Sequence, residues 1–223
     1  MLEELIKNNV ESLKANISSA TQSEPMIVAV SKKKSLDHIL AALNQGINDF
    51  GENYAAELAE KAQSINANAV WHFIGPIQSN KTKTIASFAT WVHSVERIKI
   101  AERLNKHCFD LNKSINVLIQ VNIDDEISKS GVQIGDVHPL AKFIEEHCSN
   151  LRLRGLMFMP SLTKSENEKN ESMEKIKLAI EAISSDFNNF DTFSFGTSHD
   201  YPIALKYGSN LIRVGENIFG KRE

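Results

Sequence analysis

Three lysines, Lys32-Lys33-Lys34, directly follow the apolar run Met26-Ile27-Val28-Ala29-Val30-Ser31. A short run rich in β-branched residues reads as a strand buried on both faces. Side chains alternate along a strand, so Val28, Val30 and Lys32 share one face and Lys33 takes the other. A lysine carried to the tip of a buried strand loses hydration, and its amine becomes a nucleophile for carbonyl carbons. Near the far end of the chain lie Gly196-Thr197-Ser198-His199-Asp200 and Arg213-Val214-Gly215-Glu216-Asn217. Ser198 offers a hydroxyl, Gly215 lets backbone N–H groups approach an anion closely, and Arg213 carries a permanently charged fork of donors.

Residues so far apart meet only if the fold gathers them. Leu2, Leu5, Ile6, Val10 and Leu13 recur at helical spacing, which predicts an N-terminal helix over about residues 1–19. After the first strand, Ser35 stands as an N-cap, Leu36, Ile39, Leu40 and Leu43 form one helical face, and Gly46 takes the C-terminal αL position. The strand-then-helix unit repeats. Strands are expected near 49–51, 71–74, 91–94, 115–123, 153–159, 192–195 and 211–214, with helical patterns over 52–64, 96–107, 137–147 and 173–185 among those between them. Eight strands alternating with helices match a (β/α)8 barrel. A doubly wound open sheet alternates too, so the pattern favours the barrel without excluding the other. No linker rich in Pro or Gly divides residues 1–223, which read as one domain. The polar stretch Thr163–Ser172 reads as a solvated loop.

The chemistry-bearing residues fall just after strands, where a barrel builds its active sites. Lys32 follows strand one; Glu52, Asn53 and Tyr54 follow strand two; Gly75, Gln78, Asn80 and Lys81 follow strand three. Lys129 and Gly131 follow strand five, and Met157 closes strand six. Ser198 follows strand seven, and Arg213, Gly215 and Glu216 end strand eight.

The 223 residues are 42% hydrophobic and 24% charged, which excludes a disordered or collagen-like chain. A net charge of −3 leaves no footprint for wholesale binding of nucleic-acid phosphates. No apolar stretch reaches the roughly 18–20 residues that span a bilayer, and the acidic start is unlike a signal peptide, so cytoplasmic residence is expected. Cys108 and Cys148 are too few for a disulfide framework. Each follows a histidine at a helix end, in a spacing that fits no zinc signature. Asp124-Asp125-Glu126 reads as a solvated loop, and His72 and His93 as core histidines. Adjacent Ser198-His199-Asp200 cannot form the linear relay of a triad.

A nucleophilic amine on strand one, paired with a phosphate cradle after strands seven and eight, suits pyridoxal 5′-phosphate (PLP), an aldehyde that bears a phosphate. The chain resembles the pyridoxal phosphate homeostasis protein family, whose barrel is like the N-terminal domain of alanine racemase (PLP fold-type III). The resemblance is carried by Ala29-Val30-Ser31-Lys32, Phe50-Gly51-Glu52-Asn53-Tyr54 and Trp71 through Lys81. It continues through Ser128-Lys129-Ser130-Gly131, Arg154-Gly155-Leu156-Met157, Gly196-Thr197-Ser198, Ile212-Arg213-Val214-Gly215 and Ile218-Phe219-Gly220. It implies that Lys32 forms a Schiff base with PLP and that Ser198, with backbone from Gly215 and Glu216, holds the phosphate. It also implies that Arg213 faces the pyridine nitrogen and that Asn53 and Met157 line the cofactor. Three positions depart from the family pattern: Ala56 for Gln, Thr197 for Met, and Glu216 for Thr or Ser. A carboxylate at 216 repels a phosphate, so its side chain is expected to turn away and offer only its backbone N–H.

A guanidinium stays protonated, so a ring nitrogen facing Arg213 accepts a hydrogen bond instead of carrying a proton, and the ring is a poor electron sink. The alanine racemases that the resemblance brings in use a lysine and an opposing tyrosine from a second domain, for which this sequence is too short. The expected function is therefore intracellular PLP storage or delivery, without robust turnover, to PLP-dependent apoenzymes, by a monomer or weak dimer. The competing reading is a small amino-acid racemase with Tyr54 or His72 as second base; a cofactor-free interaction module is a third.

Overall fold

The computed structural model describes residues 1–65, 68–124, 130–161 and 165–221. Eight parallel strands form a closed barrel in sequence order. They are β1 (Met26–Val30), β2 (Asp49–Glu52), β3 (Val70–Phe73), β4 (Trp91–Val95), β5 (Ile115–Val121), β6 (Leu151–Phe158), β7 (Thr192–Thr197) and β8 (Leu211–Val214). The ring closes where β1 pairs with β8, with Val28 opposite Arg213 and Ala29 opposite Val214. The expected barrel is thus the observed one, and the open sheet is excluded. Every residue of β4 and β8 is buried, as strands covered on both faces require.

The described helices are α1 (Leu2–Ala20), α2 (Leu36–Leu43), α3 (Ala55–Ser64), α4 (Thr82–Phe88), α5 (Ile98–Asp110), α6 (Ile134–His147), α7 (Glu166–Ile183), α8 (Tyr201–Lys206) and α9 (Glu216–Phe219). The first of them, α1, packs on α2, α8 and α9, across the outside of the β1–β8 seam. Its buried stripe is Ile6, Val10, Leu13 and Ile17, whereas Leu5 is half exposed. In α2 the buried face is Ile39, Ala41 and Ala42, and Leu40 points outward. Gly46 has φ +77°, the left-handed turn expected after α2.

Three expectations change. Glu52 ends β2 instead of opening a helix, and α3 begins at Ala55. Helix α6 starts at Ile134, ahead of Val137. The polar stretch is mostly helix: α7 begins at Glu166, on a capping box in which Ser165 accepts from the Glu168 N–H and the Glu168 carboxylate accepts from the Ser165 N–H at 2.8 Å. Two of the backbone donors at the helix start are met by that exchange, which outweighs the polar composition. Thr163, Lys164, Asp125, Glu126 and Lys129 lie outside the described residues.

Inside the barrel, Trp91, Leu118 and Met157 form an apolar plug with Met26 and Val70. Two residues further along their strands, one pleat nearer the C-terminal mouth, the inward positions turn polar: His72 after Val70 and His93 after Trp91, both fully buried.

Candidate functional site

The C-terminal mouth holds a cavity of about 270 Å³. Lys32 reaches it from the tip of β1, Asn53 from β2, Ser198 from the loop after β7, and Arg213, Gly215 and Glu216 from β8 and the turn into α9. Six of the seven residues named from the sequence therefore share one cavity. Met157 does not. It is fully buried in the plug, and Met159, the next inward position on the same side, lines the cavity in its place. A second cavity of about 420 Å³ shares the wall of Asn53, Ile74, Met159 and Pro160 and extends to Gln120, Asn122 and Ser130.

Arg213 is 3% exposed and anchored by its neighbours. Its Nη1 donates to the Ser194 carbonyl at 2.8 Å and to the Ser194 hydroxyl, and its Nη2 donates to the Phe158 carbonyl at 2.9 Å. Those three bonds use three of the five guanidinium protons; the other two have no partner among the described residues. Burial lowers its pKa to about 10, with Asp200 opposing the shift, so the group remains cationic at neutral pH.

Behind Arg213 a line of hydrogen bonds crosses the barrel. Ser194 Oγ lies 3.1 Å from His93 Nδ1, His93 Nε2 lies 2.9 Å from His72 Nδ1, and His72 Nε2 lies 2.9 Å from Asp49 Oδ1. With both imidazoles neutral, each group donates to the next, from Arg213 down to the Asp49 carboxylate. Burial holds both histidines below their usual range, His93 most strongly, with His72 and Arg213 adding to the effect. Asp49 partly restores His72.

The loop after β7 is shaped by Asp200, one of whose oxygens accepts from the Thr197 N–H at 2.7 Å and the Thr197 hydroxyl at 2.6 Å. Ser198 Oγ accepts from the Gly215 N–H at 3.1 Å, which ties that loop to the end of β8 and directs the hydroxyl proton elsewhere. A Cβ at Gly215 would lie 3.2 Å from the Val30 carbonyl oxygen, so β1 and β8 approach closely at this point. The Glu216 carboxylate lies 3.7 Å from His199 Nε2. Thr197, His199, Asp200, Met159 and Pro160 also line the cavity, beyond the residues expected from the sequence. Alternation from Met157 would have flagged Met159; nothing local flags Pro160.

A phosphorylated aldehyde fits these groups. Lys32 brings an amine, Ser198 a hydroxyl proton and Glu216 a backbone N–H, the Gly215 N–H being spent on Ser198 Oγ, and Arg213 brings two N–H groups with no partner among the described residues. The buried Asn53 Oδ1 has no hydrogen-bond partner among the described residues, which is what a ligand-facing acceptor looks like. Neither Tyr54, which is exposed, nor His72, sealed inside the barrel, lines the cavity. No group of three or more metal-ligating side chains occurs among the described residues, and Cys108 and Cys148 are buried, their thiols pushed up to about 11 by burial.

A lysine at the tip of the first strand, an arginine on the last and a hydroxyl between them define a barrel of the alanine racemase N-terminal type. The profile described as "Alanine racemase, N-terminal domain" matches residues 3–223, and the chain belongs to that family. Within it, the chain belongs with the pyridoxal phosphate homeostasis proteins. It is 40% identical to the one from Haemophilus influenzae over 97% of this chain and 96% of the relative, and 36% identical to the one from Escherichia coli K12 over 98% and 97%. Among solved structures, PipY of Synechococcus elongatus with PLP bound superposes with a TM-score of 0.86 at 26% identity, over 96% of this chain and all of PipY. Alanine racemase of Corynebacterium glutamicum shares the fold, with a TM-score of 0.78 at 14% identity; the match spans 99% of this chain and 62% of the racemase.

Proposed function

We propose that this chain binds PLP in the mouth of its barrel and holds it, through Lys32, as an exchangeable reservoir. The observation that carries the reading is that Lys32, Ser198 and Arg213 line one cavity although they come from opposite ends of the sequence. PLP supplies an aldehyde: the Lys32 amine adds to its carbon, a C–N double bond forms, and water leaves. The resulting Schiff base is reversible, so another amine can displace Lys32 and carry the cofactor away. Ser198 and the backbone at Gly215 and Glu216 take the phosphate, and Arg213 donates to the ring nitrogen. Glu216 serves the anion through its backbone N–H, with its carboxylate 3.7 Å from His199 Nε2 at the cavity wall.

The reading includes the absence of robust turnover. Carbanion chemistry is disfavoured when the ring is not protonated, and a racemase with such a ring relies on a second base on the opposite face. Arg213 is a donor with protons to spare, and neither candidate base lines the cavity. Residence in the cytoplasm, action as a monomer or weak dimer, and release to PLP-dependent apoenzymes complete the proposal. Among the described residues no helix is long and apolar enough to cross a membrane.

The test is the visible spectrum of the PLP-loaded protein beside its Lys32→Ala variant, followed by borohydride reduction and peptide mapping. A yellow band lost in the variant, with the pyridoxyl group on Lys32, is the expected result; an equal band in both overturns the anchor. Rapid deuterium exchange at the α-carbon of a free amino acid would establish the racemase reading instead.

A further inference from the structure

Three consecutive lysines pose a question of selection, because all three amines can react with an aldehyde. Only Lys32 lines the cavity at the mouth, while Lys33 is exposed and the Lys34 amine lies 3.4 Å from the Phe219 carbonyl, to which it donates. The backbone explains the split. The Lys34 N–H donates to the Ser31 carbonyl at 2.9 Å, so Ser31 to Lys34 form a turn with Lys32 and Lys33 at its centre. Lys33 has φ +62°, the left-handed position that a type II turn normally gives to glycine. A lysine there is strained by about 1–2 kcal/mol, so something must hold it.

A buried cluster does so. Lys61, on α3, has a side chain only 6% exposed, and its ammonium spends all three protons: on the Ser31 carbonyl at 2.7 Å, on Glu52 Oε1 at 2.7 Å and on Glu57 Oε1 at 2.6 Å. The Ser31 hydroxyl donates to the same Glu52 oxygen at 2.6 Å. The Glu57 carboxylate in turn accepts the Lys33 N–H. That N–H belongs to the peptide between the two central residues, whose orientation separates a type II turn from a type I. The cluster therefore grips the peptide groups on both sides of Lys32. It does so at some expense, since burial raises the Glu52 pKa against its bonds from Lys61 and Ser31, and Glu52 Oε2 is buried with no partner among the described residues. A pair of small apolar residues would join α3 to the barrel more simply.

We propose that Lys61, acting with Glu52 and Glu57, is a positioning residue that holds the Ser31–Lys34 turn so that Lys32 alone, of the three lysines, presents its amine to the cavity. The inference rests on the reading of Lys32 as the PLP anchor. It is tested by loading the full chain with PLP, reducing with borohydride and quantifying the pyridoxyl adduct on each lysine by peptide mass mapping. The chains compared are wild type, Lys61→Met and Glu57→Ala. In wild type the adduct is expected on Lys32. In the variants the share on Lys33 and Lys34 is expected to rise roughly tenfold, the change that follows from losing one hydrogen bond of about 1.4 kcal/mol. Glu57 is partly exposed, so Glu57→Ala carries the test if Lys61→Met does not fold. An adduct still confined to Lys32 in a folded variant overturns the clamp and leaves the anchor standing. A wild-type protein with no adduct on Lys32 overturns the anchor, and the clamp with it.

Discussion

His72 and His93 face each other inside the barrel, Nδ1 to Nε2 at 2.9 Å, with neither ring exposed to solvent. Burial favours neutral rings, and with both neutral one pattern of protons fits the line: His72 donates through Nε2 to Asp49, and His93 donates through Nε2 to His72. Both rings are then Nε2–H tautomers, which ¹⁵N chemical shifts of the imidazoles are expected to display at pH 7.

The same pair makes stability depend on pH. Their folded pKa values lie below the usual 6.5, because burial disfavours the charged rings. The unfolded chain thus takes up protons first as pH falls, and the stabilisation, complete above about 6.5, is lost as pH drops below it. Asp49 on β2 and Arg213 on β8 are the charged groups that act on the pair. Each histidine contributes a slope of at most about 1.4 kcal/mol per pH unit. Urea midpoints at pH 7.5 and 5.5 are expected to fall in wild type and to fall less in His93→Gln; equal slopes would show that the histidines are not the cause.

Arg213→Leu leaves the Ser194 and Phe158 carbonyls without the donor that now joins β6, β7 and β8. A loss of about 1–3 kcal/mol in denaturant stability is expected, together with weaker retention of PLP. If retention falls while stability holds, the arginine serves the ligand alone.

Ser198→Ala removes a hydroxyl that accepts from Gly215 and aims its proton elsewhere. PLP affinity should fall about tenfold, the worth of one such bond, while pyridoxal, which has no phosphate, binds as before. An equal loss for both ligands would move the phosphate away from Ser198.

Gly75→Ala places a methyl group 2.2 Å from the Asn53 carbonyl oxygen. The tips of β2 and β3 must then separate, at about 1–3 kcal/mol, and Asn53 shifts at the cavity wall. Thermal denaturation of the variant with and without PLP measures both effects.

Much of the architecture was legible because buried parallel strands are nearly continuous apolar runs, as in Met26–Val30 and Leu211–Val214. The helices missed were of two kinds. With seven, six and four residues, α4, α8 and α9 are too short to display a period, and the start of α7 is polar throughout. Its capping signal, Ser165 with Glu168, stands in the sequence, but two residues are a faint mark within so polar a stretch. At the mouth, residue type and position after a strand marked Lys32, Asn53, Ser198, Arg213, Gly215 and Glu216. Met157 lies one pleat deeper than the cavity lining, a depth that a resemblance does not supply. Asp200 and Lys61 could not be read at all: what they do depends on backbone groups that only the folded chain brings within reach.

The pairing of β1 with β8 has a consequence for when the ligand can be recognised. Lys32 and the Ser198–Gly215 region are neighbours only where the last strand lies beside the first. An open ring offers an amine with no phosphate grip opposite it. A ligand held from both ends would therefore brace that seam and favour the closed ring over any form in which it is parted.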